Sequence, residues 1–515
     1  MPTGCRTDSL QSFHPVSAQH ADSRIASRLK PKACTNKARH GRLRSVTFQD
    51  IVFASSAASV ATKMTLKHAV GESVVVPGLR MIDHTFQVPL DHSNQQGATI
   101  SLFVRDVSAL SKIGHKLPTL LFLQGGPGFE APRPVESSSW IKCATAHFNV
   151  LLMDQRGTGR SSPITTANLV ARGSAKQQAF YLQHFRADSI VADAELVRET
   201  LLISSDAQNS RWSLLGQSFG GFCAVQYLSA APQALTEVML TGGLPPRIDS
   251  HCAAEDAYRH LYPRVIAQNH KFYKRFPSDV ARVQRIVTYL SEQPGGGLRL
   301  ANGDHLTPRA FQLLGLGLGG GGGMERLHWL LERAFDEEID QLSPTFTSGW
   351  QASMPWDTNP LYAIMHESIY CNLGASNWAA HRVRQQDFAD DFDAIAAANA
   401  GKPVLMTGEM VFPWMFEDFA SLRKLQETAE VIAAKSDWGA MYDSTALGKN
   451  QVPVASATYY EDLYVDFELA QETASKILGV RQWVTNEYMH SGIRDDGARI
   501  LERLLGIVRG SIPLT

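Results

Sequence analysis

The sequence lacks an excess of charge of either sign. Its 515 residues carry a formal net charge of −1. A protein that binds nucleic acid or an anionic membrane mainly through charge needs a clear positive excess, so we expect neither as the main partner. Apolar residues make up 44% of the chain and charged residues 19%, which is typical of a globular protein with a large core.

Cysteine is scarce as well. The chain has six cysteines, and no two of them form a Cys-x-x-Cys pair, so the spacing of zinc knuckles and redox motifs is absent. So few cysteines in so long a chain favour a reducing compartment, and we expect a cytoplasmic protein without metal or cofactor. Cys223 is predicted to be a small buried apolar residue.

Long hydrophobic runs are missing too. No uninterrupted apolar stretch reaches the roughly 18 residues of a membrane-spanning helix, so no membrane span is predicted. A run of glycines at 319–323 has no Gly-Lys-Ser/Thr after it and no clear strand before it. We therefore interpret this run as a connector between helices and not as a phosphate-binding loop.

The first 63 residues differ in composition from the rest. They hold ten Lys or Arg against three Asp and show no sustained apolar periodicity. Three interpretations stay open: a disordered extension, an organelle transit peptide, or a misassigned start with Met64 as the true initiator. The sequence predicts that an extension of this kind reaches to about residue 75.

The rest of the chain alternates between strand and helix patterns before it becomes helical. The candidate strands of the first part are residues 85–90, 99–104, 119–123, 148–153, 212–215 and 238–241, and its candidate helices are residues 187–202 and 222–228. Helical patterns dominate residues 247–400, and strands resume at residues 403–407, 452–458 and 482–485 before a final helix. These patterns predict an α/β fold in which a mostly parallel sheet with helices on both faces (76–246 and 401–515) is interrupted by a helical cap (247–400).

The strongest chemical motif is Gly216-Gln217-Ser218-Phe219-Gly220, which stands between a candidate strand and a candidate helix. Gly-x-Ser-x-Gly in this context is typical of the nucleophile turn of the α/β-hydrolase fold, where small residues let strand and helix approach closely. We predict that Ser218 is a catalytic nucleophile.

A serine nucleophile needs a base and an acid, which follow it in the chain in this fold. His490 alone among the later histidines comes after the last candidate strand, so it is the predicted general base. The acid should follow the strand pattern at 452–458. Asp462 is our first candidate and Asp466 the second, while Glu461 fits less well.

The fold also needs two backbone N–H donors for the oxyanion. One should belong to Phe219, the residue after the nucleophile. The other should come from the Gly125-Gly126-Pro127-Gly128 turn, where glycine lets the backbone approach a substrate closely. Gly126 is our first choice and Gly125 the alternative.

Three segments together resemble the proline iminopeptidases, also called prolyl aminopeptidases. They are Gln124-Gly125-Gly126-Pro127-Gly128, Asp154-Gln155-Arg156-Gly157-Thr158-Gly159-Arg160-Ser161 and Gly216-Gln217-Ser218-Phe219-Gly220-Gly221. The resemblance runs from about Met81 to Leu505 and is closest to the long members that carry a large helical cap. Gln124 departs from the pattern, since many members have His at this position.

The resemblance implies a serine aminopeptidase that removes N-terminal proline from short peptides. Members of the family hold the free amine of the substrate with glutamates of the cap, and here Glu367 is the first candidate and Glu409 the second. Four nearby aromatic residues could wall the proline ring or belong to the cap core: Tyr370, Trp378, Phe412 and Trp414.

Two alternatives remain open at this point. The first is another serine hydrolase on this fold, such as an esterase or a broader aminopeptidase, in which only the pocket would differ. The second is a catalytically inactive member that acts as a binding protein, although all three candidate triad residues are present. The sequence does not indicate the oligomeric state.

Overall fold

The computed structural model describes residues 67–202 and 210–513. The predicted N-terminal extension therefore lies outside the described residues up to residue 66. Within the described part, no helix is both long enough and apolar enough to cross a membrane.

Nine strands form one sheet. They are β1 His68–Val76, β2 Leu79–Pro89, β3 Thr99–Ala109, β4 Thr119–Leu123, β5 Asn149–Asp154, β6 Trp212–Gln217, β7 Leu235–Thr241, β8 Val454–Tyr459 and β9 Val480–Thr485. Their order across the sheet is β1-β2-β3-β5-β4-β6-β7-β8-β9. The first three strands form an antiparallel meander that joins β5, and all pairs from β5 to β9 are parallel.

Helices cover both faces of this sheet. The helices of the first part are α1 Ser139–His147, α2 Thr166–Val170, α3 Ala175–Leu182, α4 Ala187–Leu201 and α5 Phe219–Ala230. Along β4, Leu121 and Leu123 belong to one apolar cluster and Leu120 and Phe122 to another. Because side chains alternate along a strand, an apolar run without polar gaps, such as that of β4, indicates a strand buried on both faces.

A long, mainly helical insertion separates β7 from β8. Its helices are α6 Ala254–Arg275, α7 Asp279–Glu292, α8 Pro308–Phe311, α9 Gly323–Glu332, α10 Pro344–Ala352, α11 Pro360–Met365, α12 Ala379–Asp387, α13 Ala394–Asn399, α14 Met415–Asp418, α15 Gln426–Ala433 and α16 Ser444–Leu447. The chain then returns to the sheet, where the last helices are α17 Phe467–Lys476, α18 Gly492–Asp495 and α19 Gly497–Val508.

One predicted strand is wrong. Residues 403–407 form no strand, although Val404 and Met406 are fully buried. The side chain of Asn269 on α6 bonds the backbone of Met406 at both its N–H (2.8 Å) and its carbonyl (2.9 Å), and Thr407 N–H donates to the Gln312 carbonyl. Side-chain and loop partners thus replace a strand neighbour. The sheet resumes at Val454.

The start of the fold is also earlier than predicted. β1 begins at His68, within the stretch expected to be an extension, and pairs with β2 along the edge of the sheet. Its seven central residues are all exposed. A strand that buries neither face has no apolar alternation, which is why the sequence pattern did not reveal it.

Candidate active site

Ser218 occupies a strained turn between β6 and α5. Its φ of 55° and ψ of −126° lie in a region that side-chain-bearing residues rarely adopt. The flanking glycines permit this turn: a Cβ on Gly220 would lie 2.0 Å from the Leu123 carbonyl oxygen, and one on Gly216 would lie 2.6 Å from the Gly220 carbonyl oxygen. The two glycines therefore let β4, β6 and α5 meet closely enough to present the serine at the edge of the sheet.

His490 and Asp462 form a buried pair. His490 Nδ1 lies 2.7 Å from Asp462 Oδ2, and the two residues are only 2% and 1% exposed. The other carboxylate oxygen of Asp462 accepts the N–H groups of Tyr464 (2.8 Å) and Val465 (3.1 Å). These bonds fix the carboxylate, and the carboxylate in turn fixes the orientation of the imidazole ring.

The other two candidate acids have different partners. Asp466 caps α17 by accepting the Leu469 N–H at 2.9 Å, and its second oxygen accepts from Arg264. Glu461 is partly exposed and pairs with Lys271. Only Asp462 of the three contacts His490.

Ser218 and His490 line the same cavity of about 230 Å³. Both follow the carboxyl ends of parallel strands, which is where open α/β sheets form their sites. The Ser218 hydroxyl makes no hydrogen bond with any described residue. The complete lining is Gln124, Gly125, Gly126, Phe129, Gln217, Ser218, Leu316, Pro355, Tyr362, Glu409, Tyr464, His490 and Arg494.

The glycine turn after β4 lies directly against the nucleophile. A Cβ on Gly125 would be 2.8 Å from the Ser218 Cβ, and Gly126 has a φ of 136° that favours glycine. Within residues 67–202 and 210–513, the N–H groups of Phe219, Gly125 and Gly126 donate to no backbone or side-chain acceptor. Free N–H groups beside a nucleophile are what oxyanion stabilisation requires.

The Asp154-Gln155-Arg156-Gly157 segment at the end of β5 contacts the loop that carries the glycine turn. The Gln155 side chain donates to the Gln124 carbonyl at 2.9 Å and so ties the two loops together. Arg156 is fully buried and pairs with Asp193 at 2.7 Å and 2.5 Å, and it also donates to three backbone carbonyls. These contacts assign the segment a structural part in holding the glycine turn.

Glu409 is the one carboxylate in the lining of the Ser218 cavity. It is half-buried, and its Oε1 accepts the Tyr362 hydroxyl at 2.7 Å. Burial, together with the nearby Glu409 carboxylate, raises the pKa of Tyr362 well above its usual value, so the phenol stays a donor. The Tyr362 bond thus holds Glu409 in place, and its second oxygen accepts no hydrogen bond from the described residues.

Glu367, the first candidate, does not line this cavity. It is 6% exposed, and its two oxygens accept the N–H groups of Ala379 and Ala380, each at 2.9 Å, at the start of α12. Burial raises the pKa of Glu367 above its ordinary value. The structure therefore uses this carboxylate to cap a helix.

The aromatic lining of the cavity bears on the two interpretations left open for the four aromatic residues. Tyr370, Trp378, Phe412 and Trp414 are absent from the lining, which instead holds Phe129, Tyr362 and Tyr464. The Tyr464 ring meets the His490 ring edge-on with centroids 4.7 Å apart. Its place two residues after Asp462 is a signal that sequence reasoning could have used.

The glycine run has a function that its sequence did not reveal. The Gly319 carbonyl accepts the His490 N–H at 3.1 Å, and the Gly321 N–H donates to Ser491 Oγ at 2.7 Å. A Cβ on Gly319 would lie 2.4 Å from the Tyr464 ring. Because these glycines have no side chains, the backbone of the run contacts the loop that carries His490 directly.

One group of side chains in the described part has the geometry of a metal site. His260, Asp466 and Glu468 bring their ligand atoms within 4.8 Å of one another. Arg264 already donates to Asp466, which places a positive charge in the group. None of these residues lines the Ser218 cavity, so the group has no part in the chemistry of that site.

The strained serine turn, the His490–Asp462 pair and the parallel sheet define a hydrolase of the α/β-hydrolase fold, and residues 118–315 match the family model for that fold. The chain belongs to the proline iminopeptidase family. It is 49% identical over 436 residues to a proline iminopeptidase of Aeromonas sobria, covering 84% of this chain and 98% of that protein. A second relative, from Aspergillus aculeatus, is 36% identical over 433 residues, covering 83% of this chain and 93% of that protein.

Among solved structures, a proline iminopeptidase from Mycobacterium smegmatis aligns at 14% sequence identity with a TM-score of 0.39. The alignment covers 83% of this chain and all of that chain.

Proposed function

We propose that this protein is a serine aminopeptidase that releases N-terminal proline from peptides through an acyl-enzyme on Ser218. The observation that carries the proposal is one cavity that holds Ser218, the Asp462-paired His490 and the carboxylate of Glu409. A nucleophile with its base serves acyl transfer. A carboxylate beside them suits a substrate whose reacting carbonyl lies next to a charged amine. Membership of the proline iminopeptidase family supports proline as the residue that is released.

In the first half of the reaction, His490 Nε2 takes the proton from Ser218 Oγ, and Oγ attacks the prolyl carbonyl carbon. The carbonyl oxygen becomes an oxyanion, for which the N–H groups of Phe219 and Gly126 are the proposed donors, with Gly125 as the alternative. The tetrahedral intermediate then expels the leaving peptide, whose amine nitrogen takes the proton from His490. Asp462 stabilises the imidazolium throughout.

In the second half, water attacks the prolyl ester on Ser218. His490 accepts a proton from this water and returns it to Ser218 Oγ as the ester bond breaks. Free proline leaves, and the enzyme is restored. No group besides these side chains and water is needed to balance the atoms.

Recognition of the substrate amine falls to Glu409 in this proposal. The prolyl nitrogen is one carbon away from the reacting carbonyl, so its partner must lie within a few ångströms of Ser218. Glu409 lines the same cavity as Ser218, and Tyr362 orients it. Glu367 does not line that cavity, and both of its oxygens already accept backbone N–H groups.

The insertion between β7 and β8 is proposed to act as the cap over this site. It contributes Leu316, Pro355, Tyr362 and Glu409 to the cavity, whereas the sheet domain contributes the nucleophile and the base. We place the cap between residue 247 and the start of β8. This extends the predicted cap beyond residue 400, because Val454 is where the sheet resumes.

The proposal is tested by comparing prolyl-β-naphthylamide, alanyl-β-naphthylamide and a p-nitrophenyl ester as substrates for the full chain. We expect the prolyl amide to have the highest kcat/KM and to lose turnover in Ser218→Ala. Faster turnover of the alanyl amide or of the ester would instead identify a broader aminopeptidase or an esterase.

The same variant separates an enzyme from a binding protein. A fluorophosphonate probe should label the wild-type protein and fail to label Ser218→Ala. Equal labelling of the two proteins, or none in the folded wild type, would contradict the assignment of Ser218 as nucleophile.

A further inference from the structure

A second, larger cavity of about 530 Å³ adjoins the cavity of Ser218. The two share Leu316, Tyr464 and Arg494 in their linings. The larger one is bounded on one side by residues 316–323, which include the glycine run, and on another by α18, which directly follows the His490 loop. A substrate attached at Ser218 could thus extend past Arg494 into this space.

Arg494 stands at the junction of the two cavities. It lies on α18, four residues after His490, and its side chain is exposed. Its guanidinium has no hydrogen-bond or ion-pair partner in the part of the chain that the structure describes. By contrast, the buried Arg156 is fully paired, and the half-buried Arg309 pairs with Glu417 and Asp418.

The lining of the Ser218 cavity therefore carries charges of both signs. Apart from His490, its lining contains one carboxylate, Glu409, and one cation, Arg494. A prolyl dipeptide carries the matching pair of charges, a positive amine on the proline and a negative carboxylate on the second residue. Guanidinium binds carboxylate through two parallel hydrogen bonds, which adds geometric selectivity to the charge attraction.

We propose that Arg494 binds the C-terminal carboxylate of short prolyl peptides and makes this enzyme selective for prolyl dipeptides with a free C-terminus. The proposal rests on the prolyl aminopeptidase function. That function puts the substrate amine at Glu409 and the second residue on the leaving-group side of Ser218. The larger cavity then takes the side chain of the second residue, because much of its wall is leucine and glycine.

The experiment compares prolyl-glycine with prolyl-glycinamide, which differ only in the terminal carboxylate. Release of free proline from each gives a ratio of kcat/KM values. We expect the wild type to favour the free acid, Arg494→Gln to lower the ratio about tenfold, and Arg494→Lys to lower it less. A tenfold change corresponds to loss of one charge-assisted contact.

Arg326→Gln is the matched control. Arg326 is likewise exposed, and its guanidinium has no hydrogen-bond or ion-pair partner among the described residues, but it lines only the larger of the two cavities. If Arg494 contacts the carboxylate, Arg326→Gln leaves the ratio within about twofold of the wild type. Melting curves of all three variants show whether each remains folded.

The outcomes separate the two levels of the proposal. An unchanged ratio in Arg494→Gln would show that Arg494 does not contact the carboxylate, and would overturn the assignment. An equal fall of the ratio in Arg326→Gln would also overturn it, because the preference would then come from the general positive potential of the cavities. A wild type that cleaves both substrates without preferring the acid also overturns it. If the wild type cleaves none of the three substrates (prolyl-glycine, prolyl-glycinamide and prolyl-β-naphthylamide), the proposed function itself is overturned.

Discussion

His490 Nδ1 and Asp462 Oδ2 lie 2.7 Å apart, in a pair that is almost completely shielded from water. The contact uses one ring nitrogen and leaves Nε2 for the serine. Replacing Asp462 by Asn removes the acceptor that selects this tautomer, so we expect kcat for prolyl-β-naphthylamide to fall about 10³- to 10⁴-fold with little change in KM.

Asp466→Asn is the control for this prediction. It keeps a side-chain cap for α17 and removes the ion pair with Arg264, but it leaves His490 untouched. Asn caps a helix about as well as Asp, so we expect the melting temperature to fall because the ion pair with Arg264 is lost, and kcat to stay close to that of the wild type. A larger loss of kcat in Asp466→Asn than in Asp462→Asn would reverse the assignment of the acid.

Glu409→Gln tests recognition of the substrate amine. The substitution keeps the hydrogen bond with Tyr362 but removes the negative charge that faces the prolyl nitrogen. We expect KM for prolyl-β-naphthylamide to rise at least about tenfold, in line with the energy of one charge-assisted hydrogen bond. Steady-state kinetics at neutral pH measure this directly.

Two further variants serve as controls for that result. Glu461→Gln removes a partly exposed carboxylate that pairs with Lys271 outside the cavity, and its KM should stay near that of the wild type. Glu367→Gln weakens the cap of α12 and should act mainly on the melting temperature. A greater rise in KM for Glu367→Gln than for Glu409→Gln would show that the amine binds nearer to Glu367.

The sequence predicted the parts of the fold that rest on local pattern. β4 was expected at 119–123 and occupies those residues, and the predicted helix at 187–202 differs from α4 by one residue. Both have an apolar pattern that only one secondary structure satisfies. The stretch at 403–407 has the same apolar character, but its neighbours in space are side chains of the insertion, and no local pattern contains that information.

The same distinction between local pattern and tertiary packing applies to the residues of the site. Ser218 and His490 could be placed because a motif and the order of chain segments fix them, and the structure lines one cavity with both. Which of Glu367 and Glu409 faces that cavity depends on how the insertion folds back over the sheet. Tyr362 and Arg494 escaped notice for this reason, because each becomes part of the cavity only through tertiary packing.

Gly319→Ala tests the contact between the glycine run and the base. The added Cβ would lie 2.4 Å from the Tyr464 ring, which itself packs against His490. Relief of such a clash typically costs about 1 to 3 kcal/mol and must shift either Tyr464 or the loop of His490. We expect kcat to fall about tenfold or more, measured with prolyl-β-naphthylamide.

The neighbouring Gly317 offers a control for this change. A Cβ at Gly317 meets no described atom within 4 Å, so Gly317→Ala adds the same methyl group without a clash. Its kcat should remain close to that of the wild type. Equal losses in the two variants would indicate that the run needs flexibility, and not close packing, for activity.

His84 is expected to make the fold sensitive to acid. Burial, followed by the neighbouring His68, lowers the pKa of His84 from 6.5 to about 4. Its folded-state pKa is thus below the unfolded value, so its contribution to stability is present above pH 6.5 and is lost as the pH falls toward 4. The melting temperature should therefore fall between pH 7 and pH 4.5, and His84→Gln should reduce that fall. His115→Gln, at an exposed position, should leave the fall unchanged, and a fall of the same size in His84→Gln as in the wild type would show that other groups cause it.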